Sequence, residues 1–270
     1  MDTPLFGASA LLIALATATY LAYSPQPPHQ EPFHMARRAR VVLFAGAFTS
    51  AFLLVPPVAA AVDEVSRQDG MGTLFFNLAS GLTVLSMHLV TVYWTHPATR
   101  IRRAIASYIC FFGAVMAVQV WEFRSVHASS AELFSATASS ATADAFVLTH
   151  LGFLDVMAVA VSLQYAALAH ATWPRWRVAA AGLAVTTLGG LLGLAYSLAR
   201  TGAAIADLTG QPWPDAVETH VVPITGALAA LFVTAGLTLP TVVQRIFLPH
   251  NQSVTGRAVK DDAVRRIALL

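Results

Sequence analysis

Residues 145–171 read AFVLTHLGFLDVMAVAVSLQYAALAHA, a run in which the single charged side chain is Asp155. Coiled as an α-helix, rising about 1.5 Å per residue, the run outreaches the roughly 30 Å hydrocarbon core of a bilayer. A soluble helix of this length needs a charged face, and this one has none. It therefore reads as a membrane crossing. Six more apolar runs follow the same logic, at 4–23, 40–62, 73–95, 104–123, 178–199 and 221–246. Backbone groups in hydrocarbon must pair within their own segment, and the alternating ten-residue pattern of a membrane barrel is missing. The expected fold is an all-α integral membrane protein, a seven-transmembrane-helix bundle over residues 1–246 with a short tail at 247–270. Composition points the same way: 56% of residues are hydrophobic and 11% charged, against about 25% charged in a soluble domain.

Charge distribution predicts orientation. Arg37, Arg38, Arg40, Arg100, Arg102, Arg103, Arg175, Arg177, Arg245, Arg257, Lys260, Arg265 and Arg266 fall between or after alternate runs, leaving only Arg67, Arg124 and Arg200 for the opposite side. The positive-inside rule makes the first set cytoplasmic. With seven crossings the N-terminus is then outside, the C-terminus is cytoplasmic, and the bilayer is the plasma membrane. Trp94, Trp173 and Trp176 at inner ends and Trp121 at an outer end suit interfacial belts. The start, Met1-Asp2-Thr3-Pro4, lacks the basic region of a secretory signal, so the first run is expected to be retained. Two outer connections, 125–144 and 201–220, are long enough to meet a ligand or partner.

Few residues inside the runs can carry chemistry. Asp155 is deep within its run, where a carboxyl has to be paired, protonated or wetted. His88 and His150 are also intramembrane, and His can shuttle protons or ligate a metal. No two histidines have a metal-ligand spacing, and the one cysteine, Cys110, has no partner, so neither metal nor cofactor is expected. A second group gathers near the outer edge: Asp63 and Glu64, Asn77, Glu122 with Gln119, and Arg200. Arg200 is expected to pair with Asp63, Glu64 or Glu122 by depth. Tyr196 and Arg200, four residues apart, share a helix face. Pro56-Pro57 and Pro240 should kink their helices. Gly189 and Gly193, with Gly182 earlier, form a small-residue face for close packing.

Several activities lack their residues. The last run contains no lysine for a retinal Schiff base. There is no Gly-rich phosphate loop with its lysine and no paired Asp-rich motif for Mg²⁺-diphosphate. Basic residues are too scattered for nucleic acid.

The stretch Pro56…Ala60…Val62-Asp63, then Gly72 and Asn77-Leu78-Ala79 leading to His88, resembles an uncharacterised actinobacterial membrane family whose members are labelled transporters. Residues 177–183 running to Tyr196…Arg200, and Gly236-Leu237-Thr238-Leu239-Pro240, are similar too. The resemblance implies seven helices and draws attention to Asp63, Asn77, His88, Tyr196 and Arg200. Family members often carry a further cytoplasmic domain, for which the tail here is too short.

The leading expectation is a protein that binds or moves a small solute through an outward-facing polar cavity, with possible proton coupling. Asp155 and His88 would form its middle, and Asp63, Glu122 and Arg200 its gate. The alternative is a membrane enzyme acting on a lipid or isoprenoid, with Asp155 or Glu122 as general acid and Phe111, Phe112, Trp121 and Phe153 as lining. A third reading is a sensor or scaffold for a protein partner, or a homo-oligomer.

Overall fold

A computed structural model describes residues 3–23, 31–134 and 140–246. The tail at 247–270 lies outside the described residues, as do its four basic side chains. Nine α-helices occur among the described residues: α1 (Thr3–Tyr23), α2 (Glu31–Leu53), α3 (Pro56–Ser66), α4 (Met71–Thr95), α5 (Ala98–Phe123), α6 (Ser130–Phe134), α7 (Ala141–Thr172), α8 (Arg177–Leu208) and α9 (Val222–Ile246), with a π-turn at Val217–Val221 before the last. The described residues contain no strand. The chain is an all-α, multi-pass membrane protein. Five of its helices are long and apolar enough to cross a bilayer, and a sixth joins them if α2 and α3 count as one broken span. In α1 the apolar stretch Phe6–Tyr20 is shorter.

The run at 40–62 is not one kinked helix. It breaks between Leu53 and Pro56, and the two halves differ in direction by 93°. A proline inside a helix removes a hydrogen bond and clashes with the preceding turn, whereas proline suits a first turn. Pro56 and Pro57 therefore open a new helix, and Val55 before them is extended. The turn out of α3 is equally specific. Gly70 has φ +76°, and a Cβ there would sit 2.8 Å from the Ala128 carbonyl oxygen. Pro240 behaves differently, since α9 continues through it.

The long helices close into a ring in chain order, α1, α2, α4, α5, α7, α8, α9, with α9 returning against α1. The central core draws Tyr20 from α1, Leu43 and Phe44 from α2, Met87 from α4, Val161 and Tyr165 from α7, Leu183 from α8, and Val233 and Leu237 from α9. No residue of α5 belongs to it. The apolar window of α4 is 61% buried and that of α5 only 11%, so α5 leans on the outside of the bundle.

Helices α8 and α9 approach most closely at Gly182 and Gly236, where a Cβ on either would lie 2.5 Å from the other's carbonyl oxygen. The close face thus runs through Gly182 and Gly189. At Gly193 the nearest such neighbour is the Ala229 Cβ at 3.7 Å, an ordinary contact.

The two ends of the bundle differ. One carries α3, α6 and the π-turn and is called the capped end here. The other carries the arginines that begin α2, α5 and α8. There Arg40 lies over the rings of Trp94, at 4.8 Å, and Tyr20, at 5.9 Å, so a cation near the apolar core is held by aromatic faces.

Candidate functional site

The capped end is stitched together by two charged residues. Asp63, in the last turn of α3, accepts three hydrogen bonds: from the Gly72 amide at 2.8 Å, the Ser130 amide at 2.8 Å and the Ser130 hydroxyl at 2.9 Å. It caps the start of α4 and of α6 at once, using orphan amides that every helix start presents. Arg200, buried on α8, donates to Glu218 at 3.2 Å and to the Leu133 carbonyl at 3.0 Å. Its carboxylate is thus Glu218, not Asp63, Glu64 or Glu122. Residues 201–208 continue α8 instead of forming a connection, and the remainder folds back as the π-turn that carries Glu218, which a depth argument from the sequence does not reveal. Arg200–Glu218 is the one ion pair among the described residues. Tyr196 packs against Gly226 of α9. Glu64 is exposed on α3.

Asp155 faces α8. The Ser197 hydroxyl and the Thr201 hydroxyl, the latter at 3.3 Å, donate to its two oxygens. Two hydroxyls thus answer a carboxyl that hydrocarbon could not tolerate alone.

The remaining polar residues meet on a different seam, where α5 leans on α4 and α7. Near the capped end, Asn77 donates to Gln119 at 2.8 Å, and Gln119 donates to the Phe146 carbonyl at 3.0 Å. One turn on, Ser80 donates to the Asn77 carbonyl at 3.1 Å and lies 3.1 Å from His150 Nε2. The Ser80 hydroxyl and His150 Nε2 share that contact, and the other ring nitrogen is Nδ1. That nitrogen is buried without a partner among the described residues. Thr149 donates to Glu122 Oε1 at 2.9 Å, and Glu122 Oε2 is likewise unpartnered.

Deeper on the same seam lies a second cluster. Gln164 donates to the Tyr108 hydroxyl at 3.2 Å and presents its carbonyl to His88 Nδ1 at 3.0 Å. The Tyr108 ring stacks on the imidazole, 4.8 Å between centroids. Because Gln164 Oε1 can only accept, Nδ1 carries the proton and Nε2 is an acceptor. His88 is wholly enclosed, and its Nε2 has no partner.

Between the clusters sits an apolar plug of Met116, Phe153 and Met157, packed by Val84, Phe112 and Leu154. The seam therefore reads, from the capped end inwards, polar with a lone His150 nitrogen, then apolar, then polar with a lone His88 nitrogen. On α4, Asn77, Ser80, Val84 and His88 succeed one another at three- and four-residue steps, which puts them on one face.

The sequence singled out Asn77, Glu122, His88 and His150, and the fold brings them to this seam. It places Asp63, Arg200 and Asp155 elsewhere. Gln164, Tyr108, Ser80 and Thr149 escaped the sequence reading because each is unremarkable alone. A helical wheel of residues 145–171 does put Asp155 away from the His150 face, which hints at two interfaces. Among the described residues no three metal-ligating side chains gather.

A scan against protein-family models finds no match, and searches of curated proteins and of solved structures return none either.

Proposed function

We propose that this is a seven-crossing protein of the plasma membrane, N-terminus outside and C-terminus cytoplasmic, that binds a small polar solute along the α4–α5–α7 seam and moves it past the plug with proton coupling. The assignment of sides follows the positive-inside rule, with the arginine end cytoplasmic. The resemblance to a family labelled as transporters agrees with this reading. The observation that carries it is the pair of buried polar clusters, each with an imidazole nitrogen that has no partner among the described residues, separated by Met116, Phe153 and Met157. Imidazole is the side chain best suited to gain and lose a proton near neutrality. The loosely held α5 forms one wall of both clusters, so a small shift of one helix would open the plug.

Proteoliposomes loaded with a pH-sensitive dye and driven by a potassium diffusion potential test this. Phe153→Ala removes the bulk of the plug and should raise proton leak about tenfold over wild type, a barrier change near 1.4 kcal/mol. Adding His88→Gln should return the leak to the level of empty liposomes. If Phe153→Ala and wild type are both indistinguishable from empty liposomes, the reading is wrong.

A further inference from the structure

The arginines that begin α2, α5 and α8 are not alike. Arg38, Arg100, Arg102, Arg103, Arg175 and Arg177 are exposed, and water serves them. Arg37 and Arg40 are half-buried. Arg40 precedes Leu43 and Phe44, both wholly enclosed in the central core, by three and four residues, so it continues the core face of α2. Arg37 precedes Val41, which packs on that core, and Arg40 by helical steps, and lies on the same face one turn further out. Arg38 and Val42, four residues apart and exposed, mark the outer face. The two half-buried guanidiniums therefore stand at the mouth of the bundle, over the arginine end of its core.

The aromatic walls of this mouth hold cations without neutralising them. The Arg40 guanidinium lies over the rings of Trp94 of α4 and Tyr20 of α1. Ring faces attract a cation but offer no acceptor oxygen to its N–H groups. Neither arginine forms an ion pair among the described residues. The acids whose side chains are described belong to the capped end, Asp155 apart, so this end supplies no carboxylate. Two like charges on adjacent turns repel, and taking them partly out of water adds to the cost unless an anion joins them. A guanidinium presents a planar fork of donors that fits phosphate oxygens two at a time, and two such forks on one face suit a single phosphate.

We infer that Arg37 and Arg40 form a phosphate-binding site at the arginine-end mouth of the bundle, backed by the rings of Trp94 and Tyr20. The phosphate belongs either to a free anion entering from water or to the head of an anionic phospholipid. The site is far from the Met116–Phe153–Met157 plug in its chemistry and asks nothing of it, so it stands or falls separately from transport.

The test follows the thermal midpoint of the full chain in phosphatidylcholine nanodiscs. One titration replaces chloride by inorganic phosphate at constant ionic strength, and another adds phosphatidylglycerol to the discs in chloride. A ligand that binds the folded state raises the midpoint in a saturating way. A rise with inorganic phosphate identifies a free anion as a ligand, and a rise with phosphatidylglycerol alone identifies the lipid head. In the Arg37→Gln/Arg40→Gln protein the half-saturating concentration should increase about tenfold or more, as loss of charge-assisted hydrogen bonds implies. Arg102→Gln/Arg103→Gln, which removes the same charge from exposed positions on α5, should titrate like wild type. Arg40→Lys keeps the charge without the fork and should fall between, and it carries the test if the double Gln variant does not fold. Phosphate also stabilises proteins by exclusion from their surface, a rise that would be equal in every variant. Equal rises in all variants, no rise with either probe, or an Arg102→Gln/Arg103→Gln protein as impaired as Arg37→Gln/Arg40→Gln would each overturn the proposal, as would an Arg40→Lys protein that titrates like wild type.

Discussion

Asp63 is half-buried and has three donors aimed at it from two helix starts. Asp63→Ala would orphan the Gly72 and Ser130 amides together. The expected cost is about 1–3 kcal/mol for each donor left enclosed, seen as a lower thermal midpoint in detergent, with Asp63→Asn in between because one amide oxygen can still accept. Glu132 makes a milder prediction. Its carboxylate accepts from the Ser129 amide at 2.7 Å and the Ser129 hydroxyl at 2.9 Å, which holds its pKa below the ordinary 4.5. A lowered carboxylate stabilises the fold above the unfolded value, and that support fades as pH falls through the folded one. The protection of the α6 amides against hydrogen exchange, taken relative to the intrinsic rate at each pH, should therefore fall below about pH 4.5 in wild type and be flat with pH in Glu132→Gln. Neither role could be read from the sequence, because both depend on α6, a short helix inside a stretch of Ser, Ala and Thr that reads as a plain connection. What marked Asp63 as interesting was its depth; what it does depends on a serine 67 positions away.

Among the elements, α8 and α9 offer the sharpest contrast. A side chain at Gly182 has to push against the Gly236 carbonyl, and backbone cannot step aside as a rotamer can. Gly182→Ala should lower stability by about 1–3 kcal/mol, whereas Gly193→Ala, facing Ala229 at an ordinary distance, should be near neutral. Thermal unfolding of the two variants side by side decides it. The sequence spacing suggested Gly189 with Gly193, because a four-residue repeat marks a close face but not which turns of that face meet the neighbour. The run at 40–62 taught a similar lesson. Hydropathy averages over a window and cannot see that two adjacent prolines end one helix and start another. The α7 run, by contrast, was legible almost whole: length and the single acid were enough, and only its two ends grew.

At the scale of the molecule, the arginine end and the capped end should lie on opposite sides of the membrane. In a Cys110→Ser background, a cysteine at Asp215 should react with an impermeant maleimide on intact cells, and one at Arg175 only after permeabilisation. The opposite pattern would invert the protein. The helical class and the asymmetry of charge were plain from composition and loop arginines, since both are one-dimensional properties. The partition of polar residues into a stitched end, an Asp155 contact and the α5 seam was not, because it depends on which helices are neighbours.

The ring order carries one more consequence. Consecutive helices in the ring alternate in direction, but an odd ring cannot alternate all the way round. The mismatch falls at the seam of α1 and α9. There Ala10 and Ile13 cluster with Ala230 and Leu231, and further along Tyr20 shares a cluster with Leu237, so the two helices ascend together. Their dipoles are aligned side by side, an arrangement without the attraction of antiparallel neighbours, and apolar packing has to hold the joint. It also sets a limit on rewiring. A circular permutant that joins the end of α9 to the start of α1 must carry its linker back along the length of the bundle, so the joint would have to be a further helix rather than a tight turn.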